Sequence, residues 1–172
     1  MKKFLMTLAL LLSVGVGYAQ EVKFENETIH YERIVETTSL NASQLMSAIQ
    51  TLNPATPKEG DDWVETINEE AKYVVLARQT EWYREATLGI MVNVIIRMKC
   101  YIKDGKAKLV ANTFHEKMNI GRGNPTITPV IKETTPLASI SQERRDKLSE
   151  HIKLFADRIE SKIKDAEQNW NF

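Results

Sequence analysis

One stretch of strict alternation limits what this chain can fold into. From Leu88 to Ile102 every even position is apolar: Leu88, Ile90, Val92, Val94, Ile96, Met98, Cys100 and Ile102. After Met91 the odd positions are polar or mixed: Asn93, Ile95, Arg97, Lys99, Tyr101 and Lys103. A period of two marks a strand with one buried face. Asp104-Gly105 follows, a pair that favours the type I′ hairpin turn because both central residues there need positive φ. That turn sets Lys103 against Lys106, Ile102 against Ala107, Cys100 against Leu109, Met98 against Ala111 and Ile96 against Thr113. The register keeps apolar residues on one face of both strands, through Glu116.

The other elements follow from the same kind of pattern. Thr28–Thr37 is rich in β-branched and aromatic residues and reads as a first strand. Glu21–Glu27 before it is polar and reads as a frayed start, so residues 20–27 are expected to be flexible. Asn41 caps a helix to Leu52, with Leu45, Met46, Ala48, Ile49 and Leu52 as its apolar stripe. Asn53-Pro54 ends it. Trp63–Ile67 and Lys72–Tyr83 read as two further strands. Residues 117–138 contain Gly121-Arg122-Gly123 and three prolines and read as one long loop. A long helix at about 140–168 follows, with Ser139 and Gln142 as its capping box. Its stripe is Leu148, Ile152, Phe155, Ile159, Ile163, Ala166 and Trp170. The result is an α+β domain over residues 28–172: an antiparallel sheet in β-α-β-β-β-β-α order with the helices packed on one face.

The amino terminus carries an address. Met1-Lys2-Lys3 is basic, Phe4–Gly17 is apolar, and Gly17-Tyr18-Ala19 supplies the small residues a signal peptidase reads. Residues 1–19 read as a secretory signal peptide cut near Ala19-Gln20. The apolar run is shorter than the roughly 20 residues that span a bilayer, so no stable membrane insertion is expected after cleavage. The expected location is the periplasm or the exterior. Lys and Arg total 23, as do Asp and Glu; losing Lys2 and Lys3 leaves 21 against 23, a net charge of −2. Nucleic-acid binders usually carry a basic excess, so no nucleic-acid partner is expected.

Catalytic patterns are thin. The only cysteine, Cys100, falls on the apolar face of the long strand and reads as a buried hydrophobe. His30, His115 and His151 show no metal-ligand spacing. His115-Glu116 begins like a zinc-protease motif, but Asn119 stands where the second histidine belongs. No serine sits in a nucleophile elbow. Asp61-Asp62 and Glu69-Glu70 fall in expected loops and read as solvated surface. No catalytic, cofactor or metal residue is assigned.

With the leader ending in Tyr18-Ala19-Gln20, this element order resembles a family of secreted Bacteroidota proteins known only as a domain of unknown function with a TBP-like fold. The likeness covers the strand and helix of Ile29–Leu52, the turn around Glu69-Glu70 and the Lys103-Asp104-Gly105-Lys106 hairpin. It implies a TBP-like sheet. That family has no established activity, so the resemblance transfers no site residue.

The outward face of the hairpin is the candidate interaction surface: Ile95, Arg97, Lys99 and Tyr101 on one strand, Lys108, Val110 and Phe114 on the other. An apolar and basic mixture of this kind marks an interface. The first functional reading is an exported binding or scaffold module of the envelope, acting on a protein or peptide. The alternatives are a carrier holding a small apolar ligand between sheet and helix, with Met46 and Met98 lining it, and an envelope hydrolase.

Overall fold

The computed structural model describes residues 21–52, 60–119, 124–131 and 136–170. Three residues at the start of this range already pair in a sheet. β1 (Lys23–Glu25) lies antiparallel to β2 (Thr28–Glu36), joined by Asn26 and Glu27, both at positive φ. The expectation of a flexible start is therefore corrected: Val22 is buried and Phe24 packs against the core. α1 (Ala42–Gln50) follows, then β3 (Asp62–Asn68), β4 (Tyr73–Arg84), β5 (Met91–Lys103), β6 (Lys106–Met118), the short β7 (Thr126–Pro129) and α2 (Gln142–Asn169). Among the described residues the sheet has seven strands, in the order β1-β2-β6-β5-β4-β3 with β7 also on β6. The order thus gains a strand at the start and another inside residues 117–138, where a single loop was expected.

The β5–β6 hairpin forms as its alternation predicts up to its middle. Lys103↔Lys106, Ile102↔Ala107, Cys100↔Leu109 and Met98↔Ala111 are cross-strand partners. Beyond them a β-bulge intervenes: Arg97 faces Thr113 and Ile96 faces Phe114, so Asn112 is an extra residue. A bulge shifts the register by one and exchanges the two faces of the strand. The tip also differs from expectation. Gly105 has φ +72°, whereas Asp104 is not among the residues at positive φ, so the turn is not type I′. Tertiary contacts hold it: Asp104 Oδ1 accepts from the Ala42 N–H at 2.8 Å in the first turn of α1, and Gly105 exchanges backbone bonds with Thr37 and Leu40. A carboxylate is favoured beside helix N–H groups.

Leu88 and Ile90 lie ahead of β5 rather than within it. Gly89, at φ +64°, closes the β4–β5 turn through its N–H to the Glu85 carbonyl, and Leu88 is exposed. The alternation continues through this turn, but the backbone does not.

Both helices pack on the same face of the sheet. Leu45 and Ile49 of α1 join Leu148, Ile152, Phe155, Ile159 and Ile163 of α2, and both sets meet Leu76, Met98, Cys100 and Leu109 in one buried cluster. Asn41 caps α1 in a capping box with Gln44, as its sequence predicts. For α2 the cap is Ser141, whose Oγ accepts from the Arg144 N–H; Ser139 instead belongs to a 3-10 turn, Leu137–Ser139. α2 is 28 residues long, about 42 Å at 1.5 Å per residue. Its first turn is anchored by the Trp82 indole, whose Nε1 donates to the Arg144 carbonyl at 2.9 Å, and by the Arg144 guanidinium over the Tyr83 ring. Its middle is held by Asp62. This residue was expected on the solvated surface, but its carboxylate is only 1% exposed and accepts from Arg78 Nη1 on β4 and Arg158 Nε on α2, each at 2.6 Å. Glu69 and Glu70 are exposed, as expected.

Candidate functional site

With the helices on one face, the opposite face of the sheet carries no helix among the described residues, and the strand registers order its side chains into rows. One row crosses the sheet as Tyr73, Tyr101, Lys108 and Ile34; the next crosses as Val75, Lys99, Val110 and Glu32. Lys99 is the centre of this half. Its Nζ lies 3.9 Å from the Tyr73 ring centroid and 4.7 Å from that of Tyr101. An ammonium over aromatic faces is held by their quadrupoles. Lys108 is different: its ammonium pairs with Glu32 at 2.8 Å and holds that carboxyl below its usual range. Among the described residues no carboxylate pairs with Lys99. Tyr101 is exposed beside it, at 42%, and Ile34 is exposed two strands away opposite Lys108, at 51%.

The other half of the same face is closed by polar bridges. Arg97 binds Glu65 of β3 through Nε at 2.7 Å and Nη2 at 3.0 Å, a two-point contact. Its Nη1 lies 2.9 Å from His115 Nδ1. Lys117 reaches the Gln79 amide oxygen at 2.7 Å. Between these bridges Ile95 is 6% exposed, although it points away from the helices.

The seven residues of the expected interaction face therefore separate. Lys99, Tyr101, Lys108 and Val110 stay together on the open half. Arg97 is bound by Glu65, and Ile95 is covered. Phe114 leaves the face entirely: the bulge at Asn112 turns it into the core, where it is 6% exposed and opposite Ile96. Tyr73, Ile34 and Glu32 complete the open half and were absent from the sequence-level set. The β4–β5 pairing identifies Tyr73, but its register depends on where the turn after Arg84 closes.

The histidines do not assemble. His30 is on β2 beside Glu32, His115 on β6 and His151 on α2. Among the described residues no group of three His, Cys, Asp or Glu is placed to hold a metal ion. Cys100 is buried, and that burial pushes its thiol well up, away from the thiolate a nucleophile needs. Met46 and Met98 are buried core residues. No helix among the described residues is long and apolar enough to cross a membrane.

Two solved structures share this architecture. A TBP-like protein from Parabacteroides distasonis matches with a TM-score of 0.53 over 86% of this chain and 97% of its own, at 14% sequence identity. The fold is TBP-like. A DUF4468 family protein from Bacteroides ovatus matches with a TM-score of 0.52 over 85% of this chain and 90% of its own, at 12% identity. No family model and no curated protein matches the chain. The TBP-like likeness concerns the sheet and its helices; function resides in sites, and DNA binding does not come with the fold.

His115 and His151 are expected to make this TBP-like domain less stable in acid. Burial lowers the pKa of both below 6.5; Arg97 adds to the effect at His115 and Lys147 at His151. A histidine with a depressed folded pKa favours the native state above its unfolded pKa, and that contribution is lost as pH falls through the folded value. Thermal unfolding followed by circular dichroism is expected to show a lower Tm at pH 5 than at pH 7.5. The substitution His115→Gln should flatten part of that slope. An unchanged slope in both His115→Gln and His151→Gln would show that neither ring is held neutral by the fold.

Proposed function

We propose that the chain is an exported, non-catalytic binding module of the cell envelope. Its open half-face, centred on Lys99 between Tyr73 and Tyr101, docks a protein partner. The observation behind this reading is a cation that lies among aromatic and aliphatic side chains and, among the described residues, pairs with no carboxylate. A partner with an acidic side chain set among apolar ones complements it: the carboxylate meets Lys99, and the apolar groups cover Tyr101, Val110 and Ile34. Tyrosines such as Tyr101, once buried, are among the residues that carry most of the energy of an interface. Export rests on the basic, apolar and small-residue leader of residues 1–19, which lie outside the described residues.

The test uses a photo-crosslinking amino acid at position 101 in the native host, with the same group at Leu154 as control. Leu154 is also exposed and apolar, but lies on α2. A discrete protein adduct is expected at position 101 only. Adding Lys99→Glu should reduce its yield at least tenfold, since ~1.4 kcal/mol of binding corresponds to that factor. Stability should change by only about 1 kcal/mol, the scale of a cation–π contact. Equal adducts at positions 101 and 154, or an adduct indifferent to Lys99→Glu, would remove this face from consideration.

A further inference from the structure

The edge of β6 opposite β5 is shared by two strands placed end to end. β2 accompanies it as far as the Tyr31↔Ala111 pair, and β7 takes over at Pro129↔His115. Among the described residues Asn112, Thr113 and Phe114 between them have no cross-strand partner on that side, although the Phe114 carbonyl accepts from the Val130 N–H at 3.0 Å. The gap coincides with the bulge. Before Tyr31 the chain does not follow β6: Ile29 and Thr28 pair with β1 instead. The strands thus diverge around a cleft of about 350 Å³.

Its lining is chemically ordered. Ile29, Phe114 and Val130 form an apolar floor, and all three belong to the main core. One rim offers donors. The Arg97 guanidinium has only N–H groups, so His115 Nδ1 accepts and the neutral ring carries its proton on Nε2. Asn112 Oδ1 accepts from the Thr113 hydroxyl at 3.2 Å, which leaves the amide N–H groups of Asn112 to donate elsewhere. The other rim offers an acceptor. Glu27 uses one carboxylate oxygen for the Leu137 N–H at 2.6 Å, and among the described residues the second accepts no hydrogen bond.

From this arrangement we infer that the cleft is a binding site for one bulky apolar residue of a peptide. The side chain fills the floor, a flanking carbonyl accepts from Asn112 and His115, and a flanking N–H donates to Glu27. Donors on one rim and an acceptor on the other match the two ends of a peptide group. The peptide enters end-on, because β2 and β7 occupy both ends of the gap and exclude an added strand along β6. The Glu27 charge disfavours a carboxylate ligand. This site is separate from the Lys99 face and does not depend on that reading.

The probes are N-acetylleucine amide and N-acetylleucine, titrated into the labelled full chain and followed by ¹H–¹⁵N correlation spectra. Saturable shifts are expected at the amides of Ile29, Asn112, Thr113 and Val130, with those of Lys99 and Tyr101 unmoved. The neutral amide should bind about threefold or more tightly than the acid, as expected for one carboxylate opposing another across a solvated cleft. Glu27→Gln should remove that preference, and Asn112→Ala should weaken both probes. Both residues are exposed, so the variants keep the fold. Absence of saturable shifts at the cleft amides, or an acid bound as tightly as the amide by the unsubstituted chain, would overturn the inference.

Discussion

Asp62→Ala is expected to destabilise the domain by about 3 kcal/mol, at the lower end of the range for breaking a buried ion pair. The carboxylate is 1% exposed and is shared by two guanidiniums. Without it Arg78, whose side chain is 15% exposed, retains a charge with no partner in a desolvated place. Arg158 is 53% exposed and returns to water, which keeps the loss from being larger. The substitution also releases β3 from α2, since Asp62 is the point where the sheet edge and the helix are tied. Urea unfolding measures the loss. Asp62→Leu combined with Arg78→Met should recover much of it, because an apolar pair of similar volume avoids the desolvation cost altogether. A loss below about 1 kcal/mol for Asp62→Ala would mean that water reaches the clamp.

Phe114→Asp and Tyr101→Asp should behave in opposite ways, although simple alternation puts both residues on one face. Phe114 sits in the core against Ile96. Emptying such a site costs about 3–5 kcal/mol, and a carboxylate there adds a desolvation penalty. The sum approaches the whole stability of a domain of this size, so Phe114→Asp is expected to unfold it. Tyr101 is 42% exposed, and its loss should cost about 1 kcal/mol, mostly from the contact with Lys99. Circular dichroism of the two variants side by side decides the matter. A folded Phe114→Asp chain would place the bulge elsewhere than Asn112 and return Phe114 to the open face.

That contrast shows where a linear pattern loses its authority. Alternation is a local property, and it holds as long as both strands advance one residue per step. Asn112 breaks the count on one strand only, and no residue near it is a glycine or proline that would announce the break. Lys99, Tyr101, Lys108 and Val110 share a face because the register before the bulge follows the alternation, and Arg97 joins them through the alternation of β5 alone. Phe114, after it, is on the other side. Asp62 illustrates a second loss. Its neighbours in sequence, Asp61 and Gly60, suggest a wet loop, and only Arg78 and Arg158, 16 and 96 residues away, make a buried carboxylate tolerable.

The sequence by itself determined the parts whose causes are short in range. These are the central hairpin and its tip position, the Asn41 cap of α1, the apolar stripe of α2 from Leu148 to Ile163 (Trp170, at its end, is exposed) and the α+β class, each set by period, capping or turn chemistry within a few residues. The tertiary structure decided the rest. It paired the amino-terminal residues with β2 and drew β7 out of the expected loop, because open edges at β2 and β6 supplied hydrogen-bonding partners that the isolated segments lack. It also divided the outward face into a bridged half and an open half. Which cations are neutralised depends on residues from β2, β3 and β4 arriving beside β5 and β6, and that proximity exists only once the sheet has closed.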